Sequence, residues 1–202
     1  HTDQCTLTLD RNGVTTEKAV HRYPFAMFGS KPKTDSLPQW KLIDSSIGYV
    51  DMGRLTEKNI KQAMSDLQNT KAIIFDVRNY PKGTIYRLCP YLTPARTPFV
   101  DFTVQARRHP GSFTKFVKPQ KTGRPQKNMY KGRTIFLFNG YTQSHAEYTC
   151  MAFKTVPNAV AVGSQTSGAD GNVIPIILPG GYKTIFTGLG TFYPDGTPTQ
   201  RV

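Results

Sequence analysis

Polar and apolar positions alternate at the start of the chain, through Cys5-Thr6-Leu7-Thr8-Leu9 and again from Thr15 to Val20, with Asp10-Arg11-Asn12-Gly13 between them. Alternation at period 2 on both sides of an Asn-Gly turn predicts a β-hairpin. A lone hairpin is barely stable in water, so its partner strands lie elsewhere in the chain or outside it. Residues Tyr23 to Trp40 are rich in Pro, Ser and Lys and read as a linker. A second unit starts near Lys41.

From there the period changes repeatedly. Ser46 to Met52 reads as a strand, and Thr56 as the cap of a helix whose apolar residues Ile60, Ala63, Met64 and Leu67 fall at i, i+3, i+4 and i+7. Ala72-Ile73-Ile74-Phe75 is wholly apolar, the pattern of a strand buried on both faces of a parallel sheet. A loop from Arg78 to Gly83 leads to a short helix over Ile85 to Leu88, stopped near Pro90. Strands follow at Phe99 to Val104 and Thr134 to Phe138, then a helix from Ser144 to about Lys154 and a strand over Ala159 to Val162. Alternating strands and helices predict an α/β fold, a mixed and largely parallel sheet with right-handed crossover helices. Ligands collect beyond the C-terminal ends of such strands, where the Arg78–Gly83 loop and Ser144 are expected to face one cleft. After Gly163 the pattern is β-rich: Val173 to Leu178, Tyr182 to Thr187, then a turn at Tyr193-Pro194-Asp195-Gly196.

Composition adds bounds. With 38% hydrophobic and 11% aromatic residues, 202 residues hold enough apolar material for one core or slightly more. No run of about 18 apolar residues is present to span a membrane. Cys5, Cys89 and Cys150 are too few and too far apart for a disulfide framework or a CxxC metal site, and Cys150 falls in a predicted helix as a buried thiol. No metal or cofactor is called for. The formal charge of +13 is concentrated between Arg107 and Arg133, where nine Lys/Arg occur with no acid and with several Pro and Gly. That reads as a long basic loop. Phe113, Phe116 and Tyr130 are its candidate stacking groups if it binds an anionic polymer. They lack a repeat and no nucleic-acid motif accompanies them, so a solvated insertion is the preferred reading and no nucleic-acid partner is expected.

The chemistry centres on Ser144-His145-Ala146-Glu147, which follows an apolar strand and the turn Asn139-Gly140-Tyr141. A serine at a helix start exposes its oxygen where the unpaired N–H groups of the first turn favour developing negative charge. Taken alone, the ordinary role of such a serine is to cap the helix.

Three segments in order change that weighting. Asp76-Val77-Arg78-Asn79-Tyr80-Pro81-Lys82-Gly83 resembles the Asp-Leu-Arg-Asn-Asn-Pro-Gly-Gly loop of the tail-specific, or C-terminal processing, serine peptidases. Ser144-His145-Ala146-Glu147 resembles their Ser-Ala-Ser-Glu nucleophile turn, and Gly163-Ser164-Gln165-Thr166-Ser167-Gly168 their Gly-Glu-x-Thr-x-Gly segment. The resemblance spans roughly Ser46 to Val202 and extends to the tricorn-like branch. Thr6 to Gly13 resembles the last strands of the PDZ domain that many members carry. The division it implies is an incomplete PDZ-like domain over 1–22, a linker over 23–40 and a catalytic core over 41–202, truncated at its end. The implied fold is a layered core of the crotonase-like or ClpP-like kind. The implied activity is peptide-bond hydrolysis through an acyl-enzyme on Ser144, acting on a polypeptide or C-terminal tail. The N–H groups of His145 and Gly83 are the implied oxyanion hole. Asp76 and Arg78 are expected to shape the loop, with Thr166 and Gly168 behind the site. An exported, periplasmic or envelope location in a bacterium is also implied, whereas oligomeric state is not.

The chain departs from the pattern in two places. The processing peptidases take a lysine after the Gly-x-x-Thr-x-Gly segment as general base, and here Ala169 follows Gly168. Asp170 at an ordinary carboxyl pKa near 4 is a poor base at neutral pH. His145 is aimed away from its neighbour on the helix, and nothing recommends Lys154 or Lys183. The tricorn-like arrangement draws its histidine from a segment preceding the PDZ domain, so base and acid are expected outside this span. Second, Lys82 replaces a glycine, and its Cβ resists positive φ. A peptide-binding relative without turnover is the alternative reading, and an anionic-polymer binder through residues 107–133 a further one.

Overall fold

A computed structural model describes residues 3–21, 37–115, 118–124 and 126–200. Most of the expected linker, Phe116 and His1 lie outside the described residues. The chain divides into His1–Pro38 and Gln39–Val202. In the first, β1 (Gln4–Arg11) and β2 (Val14–His21) form an antiparallel hairpin in continuous register from Gln4↔His21 to Arg11↔Val14. Asn12 (φ 56°) and Gly13 (φ 79°) make its turn, the left-handed pair that matches strand twist, and the Gly13 N–H donates to Asp10 Oδ1 at 3.2 Å.

The second unit is built on one five-stranded sheet. Its strands are β3 (Trp40–Leu42), β4 (Ile47–Asp51), β5 (Ala72–Asp76), β9 (Arg133–Phe138) and β10 (Val160–Gly163), in the order β10-β9-β5-β4-β3. All pairs are parallel except β3–β4. Helix α1 (Ile60–Leu67) connects β4 to β5, and α3 (His145–Phe153) connects β9 to β10. The four apolar residues expected to face the core from α1 are its four buried residues. Thr56 makes no capping hydrogen bond with its side chain; a 3₁₀ turn over Glu57–Asn59 leads into the helix instead.

Register decides which face of the sheet is dry. Gly48, Ile73 and Thr134 lie side by side, as do Val50, Phe75 and Phe136, and all six are buried. Phe153 of α3 packs on this face, with ring centroids 5.0 Å from Phe75 and 5.6 Å from Phe136. A Cβ on Gly48 would meet the Leu67 side chain at 2.9 Å, so α1 lies directly against β4. Tyr49, Ile74 and Ile135 on the opposite face are only half-buried. The apolar run Ala72–Phe75 is therefore buried on one face, not on both as its sequence predicts.

Between β5 and β9 come α2 (Ile85–Leu88), β6 (Thr97–Gln105), β7 (Phe113–Lys115) and β8 (Gln120–Thr122). Strands β7 and β8 both pair antiparallel with β6. Two short stretches of the expected basic loop are thus folded onto β6, while most of its described residues are exposed as a solvated insertion would be. Tyr130 is not available to stack on a ligand: it is buried in the core, and its hydroxyl donates to the Thr70 carbonyl at 3.1 Å and shares a 3.1 Å hydrogen bond with Thr70 Oγ1. Phe113 is exposed. Strands β11 (Val173–Ile177) and β12 (Lys183–Thr187) form an exposed hairpin, and β13 (Leu189–Phe192) pairs with the far edge of β6. Among the described residues no helix is long and apolar enough to cross a membrane.

Candidate active site

The parallel register brings the three sequence segments to one edge. Strands β5, β9 and β10 are neighbours, so the residues after Asp76, Phe138 and Gly163 leave the sheet at the same end. Thr142 fastens them together. Its Oγ1 donates to the Val77 carbonyl (3.2 Å) and accepts from the Asn139 N–H (3.0 Å). Its carbonyl accepts from Ser167 N (3.1 Å) and Ser167 Oγ (3.0 Å). Gly163 is required at the end of β10, because a Cβ there would lie 1.9 Å from the Phe138 carbonyl oxygen.

Ser144 stands at the head of α3 with φ 53° and ψ −120°. Glycine reaches this region freely, and a serine at a cost of roughly 1–3 kcal/mol. The turn is held by Glu147, whose buried carboxyl group accepts four hydrogen bonds. Oε2 takes the N–H of Ser144 (2.8 Å) and of Ala169 (3.0 Å), while Oε1 takes Thr166 Oγ1 (2.7 Å) and the Gly168 N–H (2.8 Å). Thr166 and Gly168 thus stand behind the site, and Glu147 is the link between segments.

The loop after β5 is shaped by an ion pair. Asp76 accepts from the Arg78 backbone and Nε through Oδ1 (3.0 and 2.9 Å), and from Arg78 Nη2 (2.6 Å) and Tyr49 OH (2.8 Å) through Oδ2. Burial opposes ionisation of Asp76, but the hydrogen bonds from Arg78 and Tyr49 more than offset it and hold the carboxyl below its usual range. Within this loop the positive φ falls on Gly83 (72°) and not on Lys82. Lys82 therefore replaces the family glycine without the strain its Cβ implies.

Ser144 and His145 open onto a cavity of about 430 Å³ that is also lined by Tyr80, Tyr86, Tyr148 and Asp170. Tyr80 comes from the Arg78–Gly83 loop, so the two loops do face one cleft. The His145 ring stacks on Tyr148 at 5.6 Å and lies 6.2 Å from Tyr80. Burial lowers its pKa, and its Nε2 finds no hydrogen-bond partner among the described residues. The Tyr86 and Tyr148 hydroxyls hydrogen-bond to each other. Tyr148 lies one turn beyond Ser144, an i, i+4 spacing that places it beside the serine.

Asp170 differs from its sequence expectation. It is 4% exposed, its Oδ1 accepts from Gly171 N (2.7 Å), and Oδ2 has no partner among the described residues. Burial raises its pKa to about 7, with the nearby Glu147 adding to the rise. It is thus a group that exchanges a proton near neutrality. Lys154 donates to Tyr193 OH (2.8 Å) and lines a different cavity, and Lys183 lies on exposed β12. Cys150 is buried, and burial pushes its thiol up to about 12.

A strained serine thus stands between strand and helix, above a largely parallel sheet and beside a loop with a positive-φ glycine. The sequence profile of peptidase family S41 matches residues 46–202, and the chain belongs to that family. Its fold is that of S41 proteases. A protein described as a peptidase from Parabacteroides merdae ATCC 43184 superimposes with a TM-score of 0.67 at 20% identity, over 80% of this chain and 53% of that one. Mature CPAF complexed with lactacystin gives 0.64 at 14% identity, over 100% of this chain and 62% of that one. The photosystem II D1 C-terminal processing protease gives 0.57 at 15%, over 98% and 53%. This chain thus spans little more than half the length of these structures. No curated protein matches it in sequence.

Proposed function

We propose that the protein is a serine-type peptidase that cleaves polypeptides through an acyl-enzyme on Ser144. The observation that carries this reading is the backbone of Ser144, held at φ 53° by Glu147 at the mouth of a cavity. Strain of this kind persists only where surrounding contacts fix it, and here four hydrogen bonds to one carboxyl group do so. The N–H of His145, in the first turn of α3, and the N–H of Gly83 are the donors assigned to the oxyanion, each worth about 3 kcal/mol in the barrier. The acceptor of the serine proton is assigned to a histidine from a part of the protein preceding this span, with an acid outside it, as in the tricorn-like branch. An exported or envelope setting belongs to the same reading.

The test is fluorophosphonate labelling of the full-length protein. Labelling on Ser144 that disappears in Ser144→Ala supports the assignment; an unlabelled full-length protein that still binds C-terminal peptides saturably makes the chain a peptide-binding relative instead. Asp170 favours a second reading of the base. It lines the same cavity as Ser144, and burial raises its carboxyl pKa to about 7, which suits it to the role of base within this span. In that case Asp170→Asn abolishes labelling, whereas a histidine base leaves labelling of Asp170→Asn measurable.

A further inference from the structure

A second and larger cavity, of about 740 Å³, lies beside the one at Ser144 and shares Tyr86 with it. Its charge is one-sided. Lys61 of α1, Arg87 of α2, Arg96, Lys121 of β8 and Arg124 line it, against the single carboxyl of Glu57 among the described lining residues. That carboxyl is already paired with Arg87 at 2.9 Å. The wall that carries Arg96, Lys121 and Arg124 is fixed by the β6–β8 ladder, in which Lys121 lies opposite Pro98 and Thr122 opposite Thr97. Just beyond it, the Ala95 carbonyl sits 2.3 Å from where a Cβ on Gly123 would be, so the two segments are in close contact. Three of the cations thus project from a built surface and not from a free loop.

We infer that this groove receives acidic side chains, Asp or Glu, of the polypeptide whose scissile bond lies at Ser144. The inference rests on the peptidase reading of Ser144. A chain lying across the Ser144 cavity and past Tyr86 enters the basic groove, where like charges in a concave wall concentrate the attraction for an anion. Each exposed pair contributes little and is weakened by salt, so selectivity comes from several acidic positions acting together. The groove accounts for part of the charge excess between Arg107 and Arg133 as substrate selection on one side of the cleaved bond.

Binding is measured with the full-length Ser144→Ala protein, so that nothing turns over. A fluorescein-labelled peptide bearing four Asp/Glu residues is compared by anisotropy with its Asn/Gln counterpart. The acidic peptide is expected to bind about tenfold more tightly, with the preference lost when Arg96→Glu and Lys121→Glu are combined. Glu57→Gln, which frees Arg87, is expected to increase the preference and serves as a second reading if the double charge reversal does not fold. Equal affinity for the two peptides, or a preference that survives charge reversal, overturns the inference. So does a heparin fragment or oligonucleotide that binds the same groove more tightly than the acidic peptide, which makes the groove a general polyanion site. Fluorophosphonate labelling of the unsubstituted protein separates the two levels. Labelling without acid preference sinks the groove alone; acid preference without labelling sinks the peptidase reading and leaves the groove as a site for acidic peptides.

Discussion

The backbone N–H of Ser144 donates to Glu147 Oε2 at 2.8 Å, three residues along the same helix. The same carboxyl group gathers the 166–169 segment, so the turn at Ser144 and the loop that follows β10 are set by one side chain. Glu147→Gln puts an amide N–H₂ against two existing donors. Stability is expected to fall by about 3 kcal/mol, as for buried donors left unpaired. Urea unfolding measures the loss, and fluorophosphonate labelling of the folded fraction should fall with it.

Strain at Ser144 has its own signature. Alanine keeps the left-handed strain of the native serine, whereas glycine removes it. Ser144→Gly is expected to be more stable than Ser144→Ala by about 1 kcal/mol, after allowance for glycine's greater entropy when unfolded. Equal stabilities in paired thermal melts count against a strained turn at Ser144.

Gly83 separates conformation from space. Nothing lies within 4 Å of a Cβ built on it, yet its φ is 72°. Gly83→Ala is expected to cost about 1 kcal/mol from backbone strain alone. If its N–H serves the oxyanion, labelling slows by more than that loss of stability accounts for.

Asp170 predicts a pH dependence. Its folded pKa of about 7 lies above the unfolded value of 3.8, so between these values the folded state binds more protons than the unfolded. Its contribution is full below pH 4 and is lost as pH rises through 7, a fall of at most about 4 kcal/mol. Asp170→Asn should flatten that interval and be the more stable protein at pH 8. A wild-type curve already flat between pH 4 and 7 contradicts the buried, unpaired carboxyl.

Tyr130→Phe discriminates core from ligand contact. Removal of the hydroxyl that bonds Thr70 should lower stability by about 1 kcal/mol and leave binding of acidic peptides unchanged.

Local pattern determined much of this protein. The hairpin turn at Asn12-Gly13, the core face of α1 and the strand–turn–helix around Ser144 all follow from periodicity and turn chemistry, which act between residues close in sequence. The order of three short segments was enough to place the chain in its family. Tertiary structure decided the rest. Ala72–Phe75 is dry on one face only because α1 and α3 pack on one side of it, and Tyr130 is buried because the basic segment folds onto β6 and its hydroxyl reaches Thr70, 60 residues away. Asp170 looks like an ordinary carboxylate until the residues packed around it remove its water and raise its pKa. Burial and charge proximity depend on neighbours distant along the chain, and a sequence read locally does not contain those distances.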